Sequence, residues 1–286
     1  MGEYGTPAAF RAAVEAKLRE RARHLGAPAY IVRRQAALER LIVRLTRVAP
    51  DRWALKGGLA LETRLGERAR VSVDLDADHA HGAEAARADL QRAAIEDVGD
   101  YFGFVIAGSE ELREAGVGLA VRYKLDSSIA ERAFEPLQVD VTIAPPDPWD
   151  AQPALRPGLL AELGLDPIEV LLVPLERHVA EKLHAYTRRY KGGGTTRARD
   201  LVDLLLIRQY ARVDAAPLGD AIQRVFGCRA THAVPKSLPA PPRELAVGYR
   251  KEAEQVGLVR ALDEAHQLLA DWLNPVLDGI HRTGNT

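Results

Sequence analysis

Two aspartates one residue apart have the residue type and spacing to hold a metal ion. They are Asp74 and Asp76, in the segment RVSVDLDAD. If this segment is a β-strand, its polar residues share one face and both carboxylates lie on the same side, about 7 Å apart. Like charges on one face of a sheet repel, so a cation should compensate them. Magnesium is often held by one or two carboxylates together with substrate phosphates, so the pair predicts a magnesium site.

A third carboxylate can come from the alternating segment LQVDVTI, in which Asp140 stands on the polar face of a neighbouring strand. Three such carboxylates would suit two magnesium ions about 3.5–4 Å apart, an arrangement that stabilises both the attacking and the leaving oxygen of a phosphoryl transfer. The alternative is a solvated strand face that carries acidic side chains, and the spacing alone leaves it open.

A glycine pair stands before the aspartates, in the segment KGGLAL. Gly57 and Gly58 allow a tight turn and a close approach of the backbone to a ligand. The helix that should follow would present its N–H groups to an anion. A phosphate-binding turn followed by a carboxylate pair is suited to a nucleoside triphosphate with magnesium, although a glycine pair alone can be only a turn.

A second segment with charged residues at helical spacing is ERHVAEKLHAYTRRYKGGGTTRARDLVDLLLI. Lys182, Tyr186 and Arg189 share a helix face, and Arg199 and Asp203 are neighbours on the next helix. Without further context this is a surface ion pair worth about 0.3–0.5 kcal/mol. The glycine-rich segment 191–196 between the helices could close over a nucleotide or RNA, or it could be disordered.

The elements that must position these residues predict an α+β protein. Two N-terminal helices precede a small mixed sheet with flanking helices, which gives an α/β domain over residues 1–150. The proline-rich segment Ala144–Gly158 is typical of a linker. Residues 151–286 should form a helical domain, and within it Ile168 to Leu172 is predicted to be helical.

The two charged segments resemble the AbiEii toxin family of type IV toxin–antitoxin systems, which includes the MenT-type toxins and has the DNA polymerase β-type nucleotidyltransferase fold. The resemblance covers about residues 50 to 210, and the glycine-rich segment 191–196 makes the gap inside the second motif longer than usual. The matching residues are Lys56, Gly57, Gly58, Ala60, Leu61, Arg70, Ser72, Asp74, Leu75 and Asp76, then Ala180, Glu181, Lys182, Leu183, Ala185, Arg199, Asp200, Asp203 and Leu204.

This resemblance implies a magnesium-dependent transfer of a nucleoside monophosphate from a nucleoside triphosphate to RNA, at the 3′ end of tRNA, which would block translation. It implies a cognate antitoxin as partner. Lys182 would bind triphosphate oxygens, and Asp203 would orient Lys182 or act as a general base. Gly57, Gly58, Ser72 and Arg70 would position the triphosphate, while Asp74, Asp76 and Asp140 would hold the metal.

Composition restricts the remaining possibilities. The chain has 286 residues, a formal net charge of −1 and one cysteine, Cys228, so no disulfide can form within it. No apolar run approaches the ~20 residues of a membrane span, so a cytoplasmic protein is expected. His178, His184 and His232 match no zinc pattern. A basic cluster could grip nucleic acid or be solvated; its members are Arg188, Arg189, Lys191, Arg197 and Arg199.

Two other functions remain open at this point. One is a nucleotide-binding regulator that retains the fold without transfer, against which the intact Asp74, Asp76 and Lys182 argue. The other is a nucleotidyltransferase that acts on a small molecule such as an antibiotic. A basic surface beside the cleft would favour RNA, and a small neutral pocket would favour a drug-like acceptor.

Overall fold

The chain divides into two compact units. The structure is a computed structural model that describes residues 5–114, 118–143, 150–165, 167–188 and 197–283. Unit 1 consists of Met1–Arg64, Val71–Glu114 and Gly118–Val173, and unit 2 of Leu65–Arg70, Ala115–Val117 and Pro174–Thr286. The glycine-rich segment 191–196, Arg189 and part of the predicted linker lie outside the described residues.

Unit 1 begins with the two helices that the sequence predicts. Thr6 caps the first helix by accepting a hydrogen bond from the Ala9 N–H, and Pro7 occupies its first turn, where its missing N–H costs nothing. Gly26 ends that helix in the left-handed conformation. The helices of this unit are α1 (Pro7–Leu25), α2 (Ala29–Val48), α3 (Gly57–Leu65, whose last residue falls in unit 2) and α4 (Gly82–Ile95).

Seven strands in the described part of unit 1 form one mixed sheet, in the order β3-β4-β5-β2-β1-β7-β6. They are β1 (Trp53–Lys56), β2 (Leu75–His79), β3 (Phe102–Glu114), β4 (Gly118–Ile129), β5 (Arg132–Ile143), β6 (Gln152–Arg156) and β7 (Ile168–Leu172). The central strand β2 runs antiparallel to β1 and parallel to β5, and β1 runs parallel to β7. The α+β class is confirmed.

Two segments that were predicted as a helix and as a linker contain strands, so these predictions were wrong. Ile168–Leu172 is strand β7 and not a helix, since its alternating burial matches a sheet with one covered face. The predicted linker contains strand β6, in which Pro153 is tolerated because β6 is an edge strand.

The aspartate segment was also predicted too long as a strand. Strand β2 begins only at Leu75, so Val71, Val73 and Asp74 precede it.

The sheet of unit 1 has an apolar face and a polar face. Leu55, Leu75, Ala77, Val139 and Val141 are buried and belong to the same apolar core as α1, α2 and α4. Because side chains alternate along a strand, the residues between them point the other way. The opposite face therefore carries the polar residues of β1, β2 and β5, and these include the candidate site.

Unit 2 consists mainly of helices, and the first two helices lie where the sequence predicts helices. They are α5 (Leu175–Thr187), α6 (Ala198–Tyr210), α7 (Ala215–Arg229), α8 (Leu245–Gln255) and α9 (Leu262–Thr283). The middle of α6 is buried without interruption from Leu201 to Ile207. Asp203 is the charged residue of this buried stretch, so its carboxylate needs partners within the protein.

None of the described helices is long and apolar enough to cross a membrane.

Candidate active site

The glycine pair and the aspartates meet at the point where β1 turns into α3. Gly57 has φ +59°, a left-handed conformation that favours glycine, and a Cβ there would overlap the Asp76 carboxylate. A Cβ on Gly58 would lie 2.6 Å from both Cβ and Oγ of Ser72. Neither glycine can carry a side chain without moving a predicted site residue, so the pair is more than a turn.

Ser72 is held at this position by a glutamate that sequence reasoning missed. Glu62, on α3, accepts the Ser72 backbone N–H and also binds Gln35 at 3.0 Å and Arg156 at 3.2 Å. Burial raises the pKa of Glu62, and the charge of Arg156 opposes that effect. The Ser72 hydroxyl in turn donates to the Asp74 backbone oxygen at 3.2 Å, so this network fixes the backbone just before β2.

Asp76 and Asp140 stand directly opposite each other on the adjacent parallel strands β2 and β5, as the alternation predicted. Asp140 is engaged by a residue that the sequence reasoning did not single out. Arg122 of β4 donates to Asp140 through two of its guanidinium nitrogens, at 2.8 Å through Nε and 2.7 Å through Nη2. Gln138 adds a hydrogen bond of 3.2 Å to the same carboxylate.

A third aspartate of the same motif has a different role. Asp78 is fully buried and accepts a hydrogen bond of 2.8 Å from the Lys56 ammonium, which also binds the Thr142 hydroxyl. Lys56 is the first residue of the glycine motif, so this pair joins β1, β2 and β5 beneath the candidate site. The sequence contained this signal, since Asp74, Asp76 and Asp78 alternate.

The donor set of unit 1 fits magnesium in part. Asp74 and Asp76 are half-buried, and the Asp76 carboxylate lies beside Gly57 at the N-terminus of α3. Carboxylate oxygens are ligands that magnesium prefers. Within the described ranges, no three His, Cys, Asp or Glu side chains come together as a metal-binding group. At Asp140, both carboxylate oxygens accept hydrogen bonds from Arg122.

Unit 2 contains the predicted lysine and aspartate, and they form a buried ion pair. Lys182 Nζ donates to Asp203 at 2.7 Å and to Asp200 at 3.3 Å. Arg70 donates to both oxygens of Asp203, at 3.3 and 3.1 Å, and lies 3.9 Å from Glu252. Arg70 was predicted on the same strand face as Asp74, but it precedes β2 and belongs to unit 2.

The charges of this cluster are fixed over the physiological range. Burial opposes ionisation of Asp203, but the charges of Lys182 and Arg70 outweigh it and lower the pKa of Asp203 to about 2. Burial likewise disfavours the Lys182 ammonium, yet Asp203 and Asp200 raise its pKa overall. A carboxylate with so low a pKa is a poor general base, so the geometry favours Asp203 as the group that orients Lys182.

The other polar residues of unit 2 have structural contacts. Arg197 pairs with Asp200 at 3.2 Å, and Arg199 pairs with Glu252 at 3.1 Å. His184 and His232 share a hydrogen-bond partner, Thr231. The free Cys228 is exposed. Arg189 and Lys191 of the predicted basic cluster lie outside the described residues.

Comparison with known families identifies the kind of protein that carries these motifs. The family model described as nucleotidyl transferase AbiEii toxin, type IV toxin–antitoxin system, matches residues 40–272, which include both motifs and most of both units. The chain belongs to the AbiEii family. It is therefore a nucleotidyltransferase toxin of a type IV toxin–antitoxin system, and the predicted family and activity are confirmed.

Solved structures agree with the fold of an AbiEii protein. Eight chains match, among them MenT4, a nucleotidyltransferase toxin from Mycobacterium tuberculosis H37Rv. The two are 18% identical with a TM-score of 0.57, and the match covers 93% of this chain and 98% of MenT4. At this identity the match shows the fold alone.

Another match is a candidate nucleotidyltransferase from H. pylori, at 15% identity and a TM-score of 0.48, with 87% of this chain and 96% of that chain covered. A comparison with curated proteins gives no match.

Proposed function

We propose that this AbiEii toxin transfers a nucleoside monophosphate from a nucleoside triphosphate to the 3′ hydroxyl of an RNA, with tRNA as the acceptor. The observation that carries the proposal is the turn at Gly57. There the Asp76 carboxylate packs against Gly57, the first residue of α3, and leaves no room for a side chain at that position. Helix N-termini attract phosphate, and carboxylates attract the metal that accompanies it.

In unit 1, Asp74 and Asp76 are proposed to hold magnesium, and the backbone of Gly57 and Gly58 to bind the triphosphate. Ser72 closes this turn from the opposite side, where it contacts Gly58 and is fixed by Glu62. Magnesium, when bound, would neutralise phosphate charge and stabilise the leaving pyrophosphate. Asp140 can join as a further ligand once Arg122 releases it.

In unit 2, Lys182 is proposed to bind triphosphate oxygens as a fixed positive charge. A lysine ammonium suits this role because it is a compact point charge with three donors. Asp203 accepts a hydrogen bond from Lys182 and is itself held by Arg70, so the proposed role of Asp203 and Arg70 is to position Lys182.

In the proposed reaction the oxygen of the RNA hydroxyl attacks the α-phosphorus and its proton is lost to water. The bond from that phosphorus to the oxygen that bridges it to the β-phosphorus breaks, and pyrophosphate leaves. A tRNA with a nucleotide added to its 3′ end can no longer be charged in the ordinary way, so translation in the cytoplasm would stop. The cognate antitoxin of such a system would oppose this effect.

The test is transfer of label from each of the four nucleoside triphosphates to total tRNA in the presence of magnesium. We expect one or more triphosphates to label tRNA with the intact protein, and labelling to fall by about 100-fold or more in Asp76→Asn and Lys182→Met. Asp126→Asn is the matched control, since Asp126 is exposed on β4 and should retain full transfer.

Four results would contradict the proposal in different ways. Absence of label with all four triphosphates would overturn the tRNA acceptor. Triphosphate binding without transfer to any RNA would favour the regulator, and transfer to a small hydroxylated molecule instead of RNA would favour the antibiotic-type enzyme. Equal labelling by Asp76→Asn and the intact protein would remove the proposed metal site.

A further inference from the structure

A single row of charged side chains crosses five neighbouring strands on the polar face of unit 1. Each member is directly opposite the next in the register of the strands: Glu110 on β3, Arg122 on β4, Asp140 on β5, Asp76 on β2 and Lys56 on β1. Directly opposed side chains are close enough to interact, with Cβ atoms about 4.5–5.5 Å apart. The signs along the row are negative, positive, negative, negative, positive.

The row places opposite charges side by side at every step except one. That step is Asp76 beside Asp140, where two carboxylates face each other on parallel strands. Opposed like charges destabilise a sheet, so this step is where the row would gain most from an added cation. The cations on the two sides of this step are Lys56 and Arg122, and they are held differently.

Lys56 is committed to a buried partner. Its ammonium binds Asp78, whose side chain is fully buried, and the side chain of Lys56 is itself only 13% exposed. Withdrawing either charge would leave the other buried without compensation, which strongly disfavours any movement of the ammonium. Lys56 therefore belongs to the framework beneath the site.

Arg122 is held in a much more accessible pair. Its side chain is 31% exposed and that of Asp140 is 20% exposed, although the contact is bidentate at 2.8 and 2.7 Å. On its other side, Glu110 lies 3.8 Å away and is 49% exposed. Solvent screens a partly exposed pair, so the guanidinium can leave Asp140 at a lower cost than Lys56 can leave the buried Asp78, and it can remain in solvent or on Glu110.

We propose that Arg122 is a positioning residue that serves as the internal counter-ion of Asp140 and competes with the divalent cation for it. The inference rests on the proposed metal site at Asp74 and Asp76. A cation that takes Asp140 as a ligand requires the guanidinium to move away, and the released guanidinium lies beside the carboxylate row, where it can pair with phosphate oxygens. Cation and triphosphate should therefore bind with positive coupling, and each should raise the affinity for the other by the same factor.

The test measures Mn²⁺ binding without nucleotide, by electron paramagnetic resonance of the free ion. Arg122→Gln should bind Mn²⁺ about tenfold more tightly than the intact protein, because the competing charge is gone. Arg122→Lys, which keeps the charge and loses the bidentate contact, should fall between the two. Lys124→Gln is the matched control, since Lys124 is exposed two residues further along β4 and should leave the affinity unchanged.

Two further variants separate this inference from the proposed function. Asp76→Asn should lose Mn²⁺ binding, and Asp140→Asn in the Arg122→Gln background should remove the gain. In Arg122→Gln, Mn²⁺ should also improve the binding of a non-hydrolysable nucleoside triphosphate by a smaller factor than in the intact protein. Circular dichroism establishes that each variant is folded.

The outcomes are distinct. If Asp76→Asn abolishes Mn²⁺ binding while Arg122→Gln binds no more tightly than the intact protein, the counter-ion role is overturned and the metal site stands. A gain in Arg122→Gln that persists after Asp140→Asn would likewise overturn the counter-ion role. If Asp76→Asn binds Mn²⁺ as well as the intact protein, the proposed metal site fails, and with it this inference.

Discussion

At the scale of single residues, Gly57 makes the sharpest prediction, because two separate requirements apply to it. Its φ of +59° disfavours any side chain, and a Cβ would overlap the Asp76 carboxylate. Gly57→Ala should therefore cost about 1–2 kcal/mol of stability through the backbone and displace Asp76 as well. We expect transfer of label to tRNA to fall by about 100-fold, since small displacements at a reacting centre have effects of that size.

The matched control for that prediction is Gly66→Ala. Gly66 has nearly the same φ, +60°, but its added Cβ would meet nothing within 4 Å. It should show the same loss of stability in thermal melts while transfer is retained. Equal loss of transfer in both variants would mean that backbone strain, and not the contact with Asp76, is responsible.

Some site residues could be recognised from the sequence and others could not. Asp76 and Gly57 lie in one stretch of the sequence, and the resemblance to the family motif brought them together. Arg122 and Glu62 reach the motif from β4 and α3, and nothing local marks them among the 39 lysines and arginines and 40 aspartates and glutamates of the chain. Only the register of the strands shows that Arg122 faces Asp140.

At the scale of elements, long periodic segments were predictable and short ones were not. Helices α1, α2 and α6 have enough turns for their caps and apolar stripes to be recognised. Strand β7 has five residues, and an apolar run of that length fits a buried helix or a buried strand equally well. Its pairing with β1, which lies more than 100 residues earlier in the chain, makes it a strand.

The attachment of helix α2 to strand β3 rests on a buried charge cluster that can be tested. Asp100 is fully buried and accepts hydrogen bonds from Arg40 at 2.6 Å and from Arg44 at 2.6 and 3.0 Å. Burial would raise the pKa of Asp100, but Arg44 and Arg40 outweigh it and lower the pKa. Asp100→Ala leaves two buried guanidinium groups without the carboxylate that neutralises them, so it should cost about 3–5 kcal/mol.

Urea unfolding measures that cost, with Asp97→Ala as control. Asp97 is exposed in the same connection and accepts one backbone hydrogen bond, from Gly99 at 2.8 Å. Its loss should change stability by less than about 1 kcal/mol. A similar small change in Asp100→Ala would show that α2 is held by its apolar face alone.

At the scale of the whole molecule, histidines that are buried or half-buried should make the protein sensitive to acid. Burial lowers the pKa of His79 in unit 1 and of His184 and His232 in unit 2. For His184, burial and the charge of Arg229 lower the pKa to about 3. An unfolded histidine takes up its proton near pH 6.5, so the unfolded chain binds more protons than the folded chain below that pH.

The hydrogen bonds around His184 are consistent with a neutral ring. Arg229 donates to Nδ1 at 3.4 Å, so the ring hydrogen is assigned to Nε2, which donates to the Thr231 hydroxyl at 2.9 Å. That hydroxyl can then donate to Nδ1 of His232 at 3.0 Å, and Nε2 of His232 lies 2.8 Å from the Thr187 hydroxyl. A proton on Nδ1 of His184 would face the Arg229 guanidinium, so protonation opposes this arrangement.

The stability that His184 contributes should therefore be present above pH 6.5 and be lost as the pH falls from 6.5 toward 3. Each proton that only the unfolded state binds changes stability by about 1.4 kcal/mol per pH unit, so His184 alone should account for about 2 kcal/mol between pH 7 and pH 5. Urea unfolding at the two pH values measures this. His184→Gln should reduce the difference by that amount, whereas the exposed control His24→Gln should not. An equal pH dependence in His184→Gln and the intact protein would mean that the acid sensitivity comes from other groups.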